Sequence, residues 1–188
     1  MKTRLSLPCV IFFSMVLYSS GTISRDAASY GNDIMKLRAS LGRASIILVD
    51  FAKPSCSDRL FVYDDGKPVY SGVVLHGNGR GSTAREPEFS DEVGSDCSCL
   101  GLFRVVGFKK MRNGYPSLVL EGLDETNGNA KVRGIRIHPS VMASLLPFEM
   151  KGPCFPLTNA SNGCFAVSYH TFRFIENLNT PIYLYAKY

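Results

Sequence analysis

Histidine is scarce in this chain of 188 residues: His76, His138 and His170 are the only three. A general base working near neutral pH through an imidazole must be one of them. The chain also lacks long Lys/Arg runs and interleaved aromatic stripes, which argues against nucleic acid as a partner. Cys97 and Cys99 have no second close cysteine pair, so their spacing fits a zinc site poorly, and no metal or cofactor is expected. No internal repeat or low-complexity tract occurs. The longest apolar run, Leu5 to Tyr18, falls short of the about 20 residues that cross a bilayer.

What is present reads as one globular domain, with 45% hydrophobic and 20% charged residues. Residues 1–21 stand apart as a signal peptide. Lys2 and Arg4 precede the apolar run, and Ser19, Ser20 and Gly21 follow it as small residues at a cleavage site. The expected product is exported, periplasmic or cell-wall associated, with no stable membrane span in its mature form. Removing Lys2 and Arg4 lowers the formal charge from +5 to +3, which suits an anionic polymer outside the cytoplasm. Five cysteines then remain, Cys56, Cys97, Cys99, Cys154 and Cys164. An odd number leaves at least one thiol unpaired or paired between chains.

Residues 22–45 read as a helical lead-in, since Ile34, Leu37 and Leu41 recur at helical spacing and Gly42 stops the run. Strands are expected at Ile46–Phe51, Leu60–Tyr63 and Val69–Leu75, the last two joined through Asp64-Asp65-Gly66-Lys67 as a hairpin. Residues 76–101 hold five glycines among Ser, Asp and Pro, and read as a long functional loop region. Further strands are expected at Leu102–Phe108 and Ser117–Leu123 around Asn113-Gly114, at Arg133–His138, and at Ile182–Ala186. Ser140 is placed to cap a helix that Pro147 ends, and Ser168 to cap one reaching Leu178. The fold class is therefore mainly β with two or three short helices.

His138 closes the segment Ile135-Arg136-Ile137-His138 just before a Pro-Ser turn, where a side chain projects into whatever site the next loops form. Cys164 follows Gly163, which permits a tight turn presenting sulfur beside free backbone N–H groups. A following helix would favour its thiolate. By chemistry alone, a nucleophile and a buried or disulfide-bonded cysteine are equally good readings of Cys164.

A set of ordered segments decides between them. These are residues 49–55 (Val-Asp-Phe-Ala-Lys-Pro-Ser), Arg59 to Tyr63, Val74-Leu75-His76-Gly77-Asn78-Gly79, Phe89-Ser90 and Ser98 to Phe103. Gly114 to Leu118, Leu120 to Leu123, Asn127 to Ala130, Arg133 to His138 and Ser161-x-Gly163-Cys164-x-Ala166-Val167 complete it. In this order the stretch from Ile46 to Tyr185 resembles the L,D-transpeptidase catalytic domain of the YkuD-like group, particularly its murein branch. The resemblance implies a β-rich catalytic domain over 46–188 and a peptidoglycan stem peptide as substrate. It implies a thiolate that attacks the carbonyl of the third stem residue, releases the terminal D-alanine, and passes the acyl group to an amine as a 3→3 cross-link. Cys164 matches the nucleophile, His138 the base and Gly163 the oxyanion-hole turn. Ser161, His76 and Arg136 fall where substrate-binding or supporting residues stand. A stem-trimming thiol peptidase of the same fold and a non-catalytic wall-binding domain are the alternatives.

The chain departs from the family pattern at three places. Asn159-Ala160 stand where an Arg commonly precedes the Ser in the murein branch, Phe165 replaces that branch's common Pro, and Ala166 stands where members outside the branch carry a polar or Arg residue. Catalysis needs Cys164 free, which leaves four cysteines for two bridges. A Cys97–Cys99 bond would be strained. The expected pairings are Cys56–Cys97 with Cys99–Cys154, or Cys56–Cys99 with Cys97–Cys154. The alternatives are that some of these thiols are buried and reduced, or that a Cys154–Cys164 bond silences the enzyme.

Overall fold

The computed structural model describes residues 23–79, 81–149 and 161–188, and side chains over 23–79, 81–145 and 161–188. The expected signal peptide and Cys154 lie outside the described residues. A 3₁₀ turn, Arg25–Tyr30, runs into helix α1, Gly31–Leu41, which stops at Gly42 with φ +70°. Ala27, Tyr30 and Ile34 bury against Ile46, Leu48, Phe61 and Tyr63. The lead-in is thus packed onto the sheet, and the Tyr30 hydroxyl donates to Asp50 Oδ2 at 2.6 Å.

Nine strands form one sheet. They are β1 Ser45–Asp50, β2 Leu60–Asp64, β3 Lys67–Gly72, β4 Val74–Leu75, β5 Gly101–Lys110, β6 Pro116–Gly122, β7 Arg136–Pro139, β8 Phe165–Val167 and β9 Ile182–Lys187. Their order is β3-β2-β1-β9-β5-β6-β7-β8-β4. The outermost strands β3 and β4 are consecutive in the chain, with Val73 alone between them. One continuous segment therefore joins both edges and curls the sheet into a near-barrel. β1 is buried along its whole length, which explains why Ser-Ile-Ile-Leu-Val-Asp does not alternate. The β2–β3 turn has φ 48° at Asp65 and 77° at Gly66, the two positive values that a two-residue hairpin needs.

The main core lies inside the curl and includes Ile47, Val49, Phe51, Leu60, Val62, Phe103, Leu120, Ile137, Phe165 and Leu184. Among the described residues there are three further helices, α2 Ala130–Arg133, α3 Val141–Glu149 and α4 Tyr169–Glu176. The mainly β class with two or three helices is borne out: among the described residues α1, α3 and α4 have eight residues or more, and α2 is a single turn of four. Ser168 does cap α4, its Oγ accepting from the Thr171 N–H at 3.0 Å.

Three local expectations are corrected. Arg133 to His138 is not one strand: Arg133 ends α2, and Gly134 at φ 69° turns the chain before β7 starts at Arg136. Gly134 N–H closes that turn on the Ala130 and Lys131 carbonyls, a glycine stop whose residue is visible in the sequence. α3 runs through Pro147 to Glu149, because proline's own φ is helical and only one backbone bond is forgone. Cys164 precedes a strand rather than a helix. Phe165, Ala166 and Val167 are wholly buried between β7 and β4, so a helix dipole does not act on the thiol.

Candidate active site

Strand alternation decides which side chains meet. In β7, Ile137 enters the core while Arg136 and His138 face the other way and line a cavity of about 640 Å³. β8 lies parallel to β7 with Phe165 opposite Ile137 and Ala166 opposite His138. Continuing that register sets Cys164 beside Arg136. The cavity is lined by Arg136, His138, Ser161, Cys164 and Gly134, with the β5–β6 hairpin tip, Met111 to Asn113, across from them. The structure thus brings together four of the sequence-predicted residues, Cys164, His138, Ser161 and Arg136.

Gly163 sits just behind, at φ 102°, and a Cβ there would come within 2.6 Å of the Cys97 carbonyl oxygen. Only glycine meets both conditions. Gly77 abuts it so closely that its own Cβ would lie 2.7 Å from the Gly163 Cα. The buried Ser98 ties the two: its Oγ accepts from the Gly77 N–H at 2.9 Å and donates to the Gly163 carbonyl at 3.1 Å. Ser161 Oγ donates to the Cys164 carbonyl at 2.7 Å, and the Asn78 N–H reaches the Ser161 carbonyl at 3.0 Å. The turn that presents the thiol is thus held on both sides by the His76–Asn78 segment.

His138 is buried, and its Nδ1 lies 3.0 Å from the Pro139 carbonyl. A carbonyl only accepts, so Nδ1 carries the proton and Nε2 keeps the basic lone pair. Burial, aided by the Arg136 charge, holds the imidazole below the usual histidine range, against the Pro139 bond. Burial pushes the Cys164 thiol up, opposed by the Arg136 backbone N–H and by the charges of Arg136 and Arg133. Its Sγ lies 3.7 Å from the Gly134 carbonyl, to which an S–H donates. Both shifts favour a neutral thiol beside a neutral imidazole at rest.

His76 does not line the cavity. It is buried behind the turn with Nδ1 2.8 Å from Arg59 Nη2, and as a guanidinium only donates, Nδ1 accepts. Burial and the Arg59 charge push His76 down to about 4. Arg59 is itself wholly buried, donating to the Val74 carbonyl at 2.8 Å and the Lys53 carbonyl at 3.1 Å over the Phe51 ring. Burial lowers it to about 9. His170 lies on the exposed side of α4 against Tyr70.

Arg112, Asn113 and Arg133 are site residues that the sequence did not single out. The Arg133 guanidinium donates to the Ser90 carbonyl at 2.7 Å and the Cys97 carbonyl at 2.5 Å, and pairs with Asp91 at 3.5 Å. It fastens the long loop to the wall of the cavity. Asn113-Gly114 marked a turn, but only a folded sheet sets that turn over Cys164.

Both expected disulfide arrangements fail. Cys97 and Cys99 are free and buried, while Cys56 is disulfide-bonded, its partner lying outside the described residues. Cys99 lies within the main core, where burial drives its thiol up to about 12.

A family model described as the L,D-transpeptidase catalytic domain matches residues 22–186. No curated protein matches. Among solved structures, an L,D-transpeptidase from Xylanimonas cellulosilytica is similar at 16% identity and a TM-score of 0.47, over 77% of this chain and 60% of that one. One from Mycobacterium smegmatis is 12% identical with a TM-score of 0.43, over 77% and 58%. An LD transpeptidase in complex with imipenem is 11% identical with a TM-score of 0.43, over 76% and 58%. The chain therefore spans about 60% of the length of these solved relatives. With a match covering nearly all the described residues, this chain belongs to the L,D-transpeptidase catalytic domain family.

Proposed function

We propose that the protein is an exported peptidoglycan L,D-transpeptidase in which Cys164 is the nucleophile and His138 its base. The observation that carries this reading is the shared cavity: the Cys164 thiol and His138 open on it together, and the Pro139 carbonyl leaves the imidazole with its basic nitrogen at Nε2. In the proposed acylation, Nε2 takes the thiol proton as sulfur attacks the carbonyl carbon of the third stem residue. Backbone N–H groups at the Gly163 turn hold the oxyanion. The C–N bond breaks, and the imidazolium returns its proton to the departing D-alanine amine. An acceptor amine then loses a proton to His138, attacks the thioester and frees the thiol. Starting from a neutral pair, each proton moves once in each direction.

The test is intact-mass spectrometry of the protein incubated with a tetrapeptide stem, with and without an amine acceptor. A thioester adduct on Cys164, D-alanine release and an amide-linked product with acceptor are the expected results. Cys164→Ala should remain folded and yield none of the three. Turnover by the folded Cys164→Ala protein would overturn the assignment, and release of D-alanine with hydrolysed product alone would leave a carboxypeptidase.

A further inference from the structure

Among the described residues, the cavity wall carries three arginines, Arg112, Arg133 and Arg136, and no Asp or Glu. They are not equivalent. Arg133 is bound to three loop groups and ion-paired with Asp91. Arg136 makes one side-chain hydrogen bond, to Ser117 Oγ at 3.3 Å, and Arg112 is exposed at the hairpin tip. Neither has a carboxylate partner among the described residues. Two guanidiniums without a carboxylate partner among the described residues therefore line the cavity that holds the thiol. The position two after the cysteine, where family members outside the murein branch carry a polar or Arg residue, is Ala166 here, wholly buried in β8 and unable to reach the cavity. Cations that the Cys164 segment lacks are supplied from β7 and the hairpin tip.

We infer that Arg136 and Arg112 select acyl donors with a free carboxylate flanking the bond that is cut, and discriminate against donors amidated there. The inference rests on the peptide-acylation reading above and names its substrate chemistry. A guanidinium fork pairs with both oxygens of a carboxylate in one plane. A carboxamide offers one acceptor oxygen and turns an N–H₂ toward donors, so it forfeits the charge attraction and leaves an N–H unpaired. Where the third residue is diaminopimelate, as the family resemblance implies, two carboxylates flank the scissile bond of a stem tetrapeptide, that of the leaving residue and one on the third residue's side chain. Both have the chemistry the wall would recognise.

The experiment compares three tetrapeptide donors: both carboxylates free, the third-residue side chain amidated, or the C-terminus amidated. The readout is kcat/KM for release of the terminal residue, measured by mass spectrometry. The wild type should lose about tenfold or more on at least one amidated donor, the size of a lost charged hydrogen bond, and the two amides separate the sources. In Arg136→Gln or Arg112→Gln that ratio should fall toward one, whereas Arg136→Lys should keep much of it. Because Arg136 also acts on Cys164 and His138, absolute rates will change, but such an effect is common to all donors and cancels in the ratio. Equal use of the three donors, or a ratio unchanged in both Gln variants, would overturn the inference and leave the transpeptidase reading standing. No turnover of any donor would overturn both.

Discussion

At the scale of single residues, the site holds the proposed nucleophile and base in the uncharged form. Cys164 is pushed up by burial, and His138 is pushed down by burial and by Arg136. An imidazole serves as base only when deprotonated, so the acylation rate should rise as pH rises through the His138 pKa. The acid limb of the rate profile should then lie below the usual histidine value of about 6.5. Removing the positive charge in Arg136→Gln makes protonation of His138 easier, and the limb should move up toward 6.5. A limb that moves down, or stays fixed, would show that His138 is not the group titrating. His138→Ala should slow acylation by about a hundredfold or more, whereas His170→Ala, on the exposed side of α4, should leave it near the wild-type rate. Cys164 and His138 were legible in the sequence as candidates because each stands in a recognisable segment, and both line one cavity. Their protonation state was not, because burial sets it, and the helix expected after Cys164 would have implied the opposite shift.

At the scale of elements, the buried Arg59–His76 pair is a joint between β2, β4 and the loop that follows. Its cation has three acceptors, namely two backbone carbonyls and the His76 Nδ1. Protonating His76 removes one of these and sets a second charge beside the first. Unfolded, His76 titrates near 6.5; folded, it does so at about 4. The unfolded chain therefore binds the extra proton first as pH falls, and stability should decline between about 6.5 and about 4, then level off. The shift corresponds to about 3 kcal/mol as an upper bound. His76→Asn keeps an acceptor for Arg59 but cannot titrate, so urea midpoints at pH 7 and pH 4.5 should differ less in the variant. An equal difference in both proteins would assign the acid lability elsewhere. The sequence marked His76 as a possible site residue because it stands in a family segment, but which face of the turn it occupies depends on β4 closing against β8.

At the scale of the whole molecule, the cysteines report on the fold. Cys97 and Cys99 are free but buried, and burial raises both thiols. Cys164 is half-buried and opens on a cavity. An alkylating agent added to the native, unreduced protein should label Cys164 first, slowly at neutral pH because its thiol is raised. Cys97 and Cys99 should react only after unfolding. Peptide mapping that finds Cys97 or Cys99 labelled in the native protein, or bridged, would contradict this packing. Sequence spacing favoured bridges over the alternative of buried, reduced thiols, because it does not register that the core itself protects Cys97 and Cys99.

Local patterns determined most of the strands, the Asp65-Gly66 turn and the Ser168 cap, since each depends on neighbours within a few residues. They also determined which cysteine and which histidine to watch. The short strands were the hard ones: β8, with three residues, escaped, and β7, with four, was expected to start three residues early, since both are too short to carry a period of their own and pairing decides them. Only the closed sheet put the hairpin tip across from Cys164, seated Gly77 against Gly163 with Ser98 between them, and turned Arg112 and Arg136 onto one cavity. Each of those contacts joins residues more than 20 positions apart. Such distances are set by strand order and register, which no local pattern encodes.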